Sequence, residues 1–148
     1  MRDAVAPRKN PRSPCCFSMN GKRSLTVLVV DDETLLRWSI AELLRRGGHT
    51  VLEAASAESA RGALNRAAQR LDVILLDYRL PDAHDLTFFE EVRRTVPRSA
   101  VILMTAFATP EMTRAALERG AYCVLTKPFE MRGFEDLVMA ACRPSRYH

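Results

Sequence analysis

The stretch LTVLVVDDETLLRWSIAELLRRGGHTVLEA, residues 25–54, decides the fold. Its first six residues are rich in Val and Leu without polar alternation, as a strand buried on both faces of a sheet requires. Beyond Asp32 the apolar positions Leu36, Ile40, Leu43 and Leu44 recur at the helical period, which predicts a helix over 33–46 with those side chains inward. Trp38 falls roughly opposite that stripe and Leu35 to one side. Gly47-Gly48 closes the helix, and TVLEA at 50–54 is apolar and β-prone again. A helix between two such strands makes them parallel neighbours joined by a right-handed crossover.

The same alternation continues outward. DVILLD (72–77), AVILM (100–104) and YCVLT (122–126) read as further buried strands, and helices are predicted near 57–70, 85–95, 110–119 and 129–142. Thr109-Pro110 supplies an N-cap followed by proline in the first turn, and Gly120 follows the fourth helix. Five strands alternating with five helices predict a single α/β domain built on one doubly wound parallel sheet.

Composition agrees with that size and class. The chain has 148 residues, 47% of them hydrophobic and 27% charged, enough for one core and short tails. The longest apolar runs, Val27–Val30 and Val73–Leu76, fall far short of the roughly 20 residues that cross a membrane. The formal charge of +4 is unevenly placed: residues 1–24 hold six basic groups against Asp3, which leaves the remainder close to neutral. That distribution argues against nucleic-acid binding by the folded body. Residues 1–23, with Pro7, Pro11, Pro14 and Gly21, are expected to be a disordered basic tail; 24–143 is the expected domain and 144–148 a C-terminal tail. Met19 offers an alternative translation start ahead of the first apolar run. The cysteines at 15, 16, 123 and 142 form no metal-binding or disulfide spacing, and the N-terminus lacks a secretory apolar segment, so a cytoplasmic location is expected.

Function in such a sheet is expected at the carboxyl ends of the strands. There the sequence places Asp31, Asp32 and Glu33 after the first strand, Asp77 after the third, Thr105 after the fourth and Lys127-Pro128 after the fifth. Two carboxylates about 4 Å apart repel by roughly 4 kcal/mol at an effective dielectric near 20, so the group calls for a cation. Carboxylate oxygens without His or Cys favour a hard divalent ion such as Mg²⁺. An ion, an ammonium, a hydroxyl and a carboxylate together suit phosphoryl transfer, in which the carboxylate itself can be the nucleophile.

The segments VLVVDDE (27–33), VILLDYRLPD (73–82), VILMTA (101–106) and GAYCVLTKPF (120–129) resemble the receiver domain of two-component response regulators, and most of all receivers attached to enhancer-binding (NtrC-type) transcriptional activators. The resemblance covers about residues 24–142. It implies a flavodoxin-like strand order 2-1-3-4-5 and a phosphoacceptor role for Asp77, with a sensor histidine kinase or phosphotransfer protein as donor. It implies that Asp31, Asp32, Asp77 and the backbone carbonyl of Arg79 hold Mg²⁺, with Mn²⁺ able to replace it. Lys127 would pair with the phosphoryl group, Thr105 would move to hydrogen-bond it, and the small Ala106 would leave access for the donor.

Two positions depart from the family pattern. Val124 stands where an aromatic switch residue is usual, and Tyr122, two residues earlier, is not assumed to replace it. Asp85 stands where glycine is common and is expected to alter a loop rather than the site. Arg79 and Phe107, two residues beyond Asp77 and Thr105, should flank the acyl phosphate and hinder an attacking water. Trp38 and Leu35 are candidate kinase-docking residues, and helix four, strand five and helix five offer a face for homodimerisation. His49, His84 and His148 are scattered and expected to be structural or exposed. An aspartyl-phosphate-forming phosphatase of the haloacid dehalogenase kind is the alternative, but it wants Asp-x-Asp where position 33 is Glu, and a cap domain is lacking. A flavin binder is disfavoured because no Gly-rich phosphate loop follows any strand. The module is thus expected to signal by changing protein contacts rather than to turn over a substrate, as a stand-alone receiver or as part of a larger regulator.

Overall fold

In the computed structural model, residues 16–17 and 23–142 are described. Five parallel strands form the central sheet: β3 (Thr26–Val30), β4 (Thr50–Ala54), β5 (Val73–Asp77), β6 (Ala100–Thr105) and β7 (Cys123–Thr126). Their spatial order is β4-β3-β5-β6-β7, which is the expected 2-1-3-4-5 when the sheet's strands are counted alone. Two shorter strands precede them, β1 (Cys16–Phe17) and β2 (Arg23–Ser24), paired antiparallel with each other. A backbone ladder therefore stands within the stretch expected to be an unpacked tail. The rest of that tail, 1–15 and 18–22, and the expected C-terminal tail from 144 lie outside the described residues.

Alternation along each buried strand divides the core in two. Leu28, Val30, Ile74, Leu76, Val101 and Leu103 face one side, against α2 (Ala57–Ala67), α3 (Leu86–Thr95) and α4 (Pro110–Glu118). Val27, Val29, Val73, Leu75, Ile102 and Met104 face the other, against α1 (Thr34–Arg46) and α5 (Phe134–Cys142). Because both faces are covered, all five residues of β5 are buried, Asp77 included. Each Val, Leu or Ile so buried contributes about 1.5–3 kcal/mol.

Helix α1 buries Ile40, Ala41 and Leu44 and packs Leu36 and Leu43 at the margin, so the predicted stripe is inward with Ala41 added. Leu35 and Trp38 are exposed. Gly48 turns out of α1 with φ of +94°, a left-handed conformation that glycine adopts without steric cost. Thr109 caps α4 as expected, its side chain accepting from the Met112 N–H. The fifth helix departs from expectation by beginning at Phe134 rather than 129. Gly133 has φ of +79°, which a right-handed helix cannot accommodate, so the chain from Phe129 turns before the helix starts.

Candidate functional site

Strand register brings the acidic residues together. Val30 lies opposite Leu76, so the next residues, Asp31 and Asp77, leave adjacent strand ends side by side. Thr105 lies opposite Thr126, and the Lys127 N–H donates to the Thr105 carbonyl at 2.7 Å, which fixes where the lysine stem departs. Asp31, Asp32 and Asp77 each present a carboxylate oxygen within 4.8 Å of the others. Asp31 and Asp77 are buried and Asp32 is exposed.

The Lys127 ammonium sits among acids. Its Nζ is 2.9 Å from Asp31 Oδ2, 3.1 Å from Glu33 Oε1 and 3.2 Å from Asp77 Oδ2. The contacts to Glu33 and Asp77 are aligned hydrogen bonds. The contact to Asp31 is an ion pair outside hydrogen-bond alignment, so Asp31 Oδ2 is buried without a hydrogen-bond partner. The second oxygen of each buried carboxylate is held locally. Asp31 Oδ1 accepts from the Glu33 N–H at 2.8 Å, and Asp77 Oδ1 from the Arg79 N–H at 3.2 Å.

Burial, and then the neighbouring charge of Asp31, push the Asp77 carboxyl up to about 6 against the pull of Lys127 and the Arg79 N–H. Burial alone would lower Lys127, but Asp31, Asp77 and Glu33 together hold it above the usual lysine range. One ammonium thus faces three carboxylates, with Asp32 a fourth acid beside them, which leaves a net negative charge in a partly dry site. An all-oxygen donor set, with one buried oxygen that accepts no hydrogen bond, suits a hard divalent cation. The residues present fit such an ion.

The remaining expected site residues are placed as follows. Thr105 is buried, and its hydroxyl is engaged in its own turn, accepting from the Phe107 N–H at 3.2 Å and lying 3.4 Å from the Phe107 carbonyl. Ala106 and Arg79 are exposed beside the site, and Phe107 is 82% exposed. Val124 is partly buried against the α2–α3–α4 core layer, whereas Tyr122 stands exposed just before β7. Tyr122 therefore does not take Val124's place. Asp85 does more than alter a loop: from an ordinary extended conformation, φ −143°, it caps α3 by accepting from the Thr87 N–H at 2.9 Å. Of the histidines, His49 is buried and hydrogen-bonded, His84 is exposed, and His148 lies outside the described residues.

Three contributors escaped the sequence reading. Glu33 stands on the rim in the sequence, but nothing there marks it as a partner of Lys127, 94 residues away. Arg37 donates to the Asp31 carbonyl at 2.7 Å and to Glu53 at 3.1 Å, bracing the acidic turn from α1. Asp82, in the loop after Asp77, accepts from the Ala57 N–H at 2.8 Å and the Glu58 N–H at 3.0 Å, tying that loop to the start of α2. The acidic residue at a helix start was a local signal for the first; nothing local announced the other two.

A sequence profile described as the response regulator receiver domain matches residues 27–139. The chain belongs to that family. FleR, a response regulator protein of Pseudomonas aeruginosa, is 36% identical over 114 residues, covering 76% of this chain and 23% of FleR. TcrX, a probable transcriptional regulatory protein of Mycobacterium tuberculosis, is 38% identical over 115 residues, covering 78% of this chain and 47% of TcrX. The chain thus spans less than half the length of these two relatives. Among solved structures, the beryllofluoride-activated NtrC4 receiver domain dimer superposes with a TM-score of 0.69 at 30% identity, covering 78% of this chain and 94% of that one. The protein is a receiver of two-component signalling, similar to those of enhancer-binding regulators, and a signalling domain by class. Neither the phosphatase nor the flavin-binding alternative finds support among the relatives. No described helix is long and apolar enough to cross a membrane.

Proposed function

We propose that this receiver accepts a phosphoryl group on Asp77 from the phosphohistidine of a sensor histidine kinase or phosphotransfer protein, in a reaction that requires Mg²⁺ or Mn²⁺. The observation that carries the reading is the convergence of Asp31, Asp32 and Asp77 within 4.8 Å, with Lys127 Nζ 3.2 Å from Asp77 Oδ2. Asp31, Asp32, Asp77 and the Arg79 carbonyl would hold the ion, which supplies neutralising charge to the transferring phosphoryl oxygens. Asp77 attacks phosphorus through a carboxylate oxygen, and the donor's bond to phosphorus breaks as the new one forms. Lys127 then faces the added phosphoryl oxygens as a point charge. Thr105 leaves its turn contact with Phe107 to donate its hydroxyl to the phosphoryl group, and the small Ala106 keeps the donor's path open.

The output in this reading is a change of protein contacts, including homodimerisation through α4, β7 and α5, where Leu117 and Tyr122 lie exposed. Val124 leaves that face without an aromatic switch side chain, so the coupling runs through the Thr105 shift alone. Leu35 and Trp38 dock the kinase. The domain spans 24–143, works in the cytoplasm and does not itself bind nucleic acid. Incubation with Mg²⁺ and acetyl phosphate, followed by intact mass, should show one added phosphoryl group. Its presence in Asp77→Asn, or in wild type treated with a chelator, overturns the reading.

A further inference from the structure

Glu33 behaves unlike the other acids on the rim. It occupies the N-cap position of α1, extended at φ −81° and ψ 106°, yet its side chain makes no capping hydrogen bond. The carboxylate reaches instead to Lys127 Nζ at 3.1 Å. Its side chain is 59% exposed, against 0% for Asp31 and 6% for Asp77, the other two acids on the same ammonium.

We infer that Glu33 is a charge gate on Lys127: it occupies the ammonium in the unmodified protein and selects against strongly anionic phosphoryl donors. The inference rests on the acceptor role of Asp77 and assigns the donor preference of that same site. An ammonium has three N–H groups, and here it faces three carboxylates. A phosphoryl group arriving on Asp77 takes that carboxylate's charge away but sets several anionic oxygens in its place, and these compete for the amine with its other two partners, Asp31 and Glu33. Asp31 is fully buried, so water cannot take the ammonium's place there and the bound ion would be its one remaining counter-charge. Glu33 is more than half exposed, so water takes over its solvation at small cost. Glu33 is therefore the partner that yields. Until it does, its charge stands beside the path of the incoming donor and repels a dianion more than a monoanion. Glu33 neither gives nor takes a proton in the transfer; the Asp77 oxygen gains the bond to phosphorus, and the leaving group departs with the donor's electron pair.

The test compares wild type with Glu33→Gln, which keeps size and removes charge, using dianionic acetyl phosphate and monoanionic phosphoramidate at saturating Mg²⁺, followed by intact mass. Labelling of Glu33→Gln by acetyl phosphate should be about fivefold faster, and by phosphoramidate no more than about twofold faster. The acetyl phosphate gain should shrink toward unity in about 0.5 M salt, where surface charges are screened. In the metal-free protein, the ¹⁵Nζ resonance of Lys127 should shift in the variant, a change that follows the ion pair without any transfer reaction. Glu33→Ala should reproduce both effects, which separates loss of the carboxylate from any property of the glutamine. Equal rates, slower labelling, an equal gain with both donors or an unmoved Lys127 resonance overturns the gate. Label that persists in Asp77→Asn overturns the acceptor assignment instead, and the gate with it.

Discussion

The two ends of the sheet treat buried polar groups in opposite ways. At the amino ends of the strands, His49 Nδ1 accepts from the Leu25 N–H at 3.0 Å, Asp72 Oδ2 from the Thr26 N–H at 2.9 Å, and Ser99 Oγ donates to the Leu71 carbonyl at 2.7 Å. His49 Nε2 also meets Glu135 Oε2 at 2.8 Å, linking the turn after α1 to the start of α5. Each of these side chains satisfies a backbone group that would otherwise be costly to bury. At the carboxyl ends, one ammonium is shared among three carboxylates, and Asp31 Oδ2 accepts no hydrogen bond. The first end closes the fold. The second leaves like charges crowded and a buried acceptor open, an arrangement that costs the fold stability.

The sharpest way to break this contrast is substitution at each end. Asp77→Asn should abolish labelling by acetyl phosphate and yet, at pH 7 without metal, raise unfolding stability by about 2 kcal/mol, measured by urea denaturation. The sign follows from the raised carboxyl: its contribution to stability is full below its ordinary value of 3.8 and is lost as pH rises through about 6, so the charged form is the costly one. His49→Ala should do the reverse. It should cost about 2–3 kcal/mol, from the stranded Leu25 N–H and the cavity left behind, while the folded fraction still labels normally.

An ion held as proposed would compete with a proton for the Asp77 carboxylate, which sharpens the contrast further. Divalent-ion affinity of the unmodified protein should fall up to about tenfold per pH unit below pH 6 and level off above it, as calorimetric titration between pH 5 and 8 would record. Smaller effects belong to the rim. Replacing Arg79 and Phe107 together with alanine should shorten the phosphoprotein's lifetime a few-fold by opening the acyl phosphate to water; an unchanged decay by intact mass counts against that shielding. Trp38→Ala, folded by circular dichroism, should accept phosphate from its kinase about tenfold more slowly, as loss of an aromatic anchor predicts, while acetyl phosphate labelling stays unchanged.

The fold was legible because each strand is buried on both faces, so its apolar run is continuous and its ends are marked by the chemistry that follows. Asp31, Asp32, Asp77 and Lys127 were readable for the same reason: residues just past buried strands must emerge at one rim. The start of α5 was not, because Phe129 and Met131 suit a helix as well as a turn, and the left-handed backbone at Gly133 decides between them. Glu33 was visible but read for its position alone, since a side chain at a helix start more often caps than reaches across a site. Asp82 stayed hidden because its partners are 25 and 24 residues away and are backbone amides, which carry no side-chain signature.

That last contact has a mechanical consequence. The loop leaving Asp77 is tied through both oxygens of Asp82 to the first turn of α2, so displacement of the loop has a route beyond the site. A ratchet of even one ångström at the modified aspartate would pull on a helix at the far flank of the sheet, away from α4 and α5. A partner gripping α2 would thus feel the state of Asp77 along a rigid strut of its own.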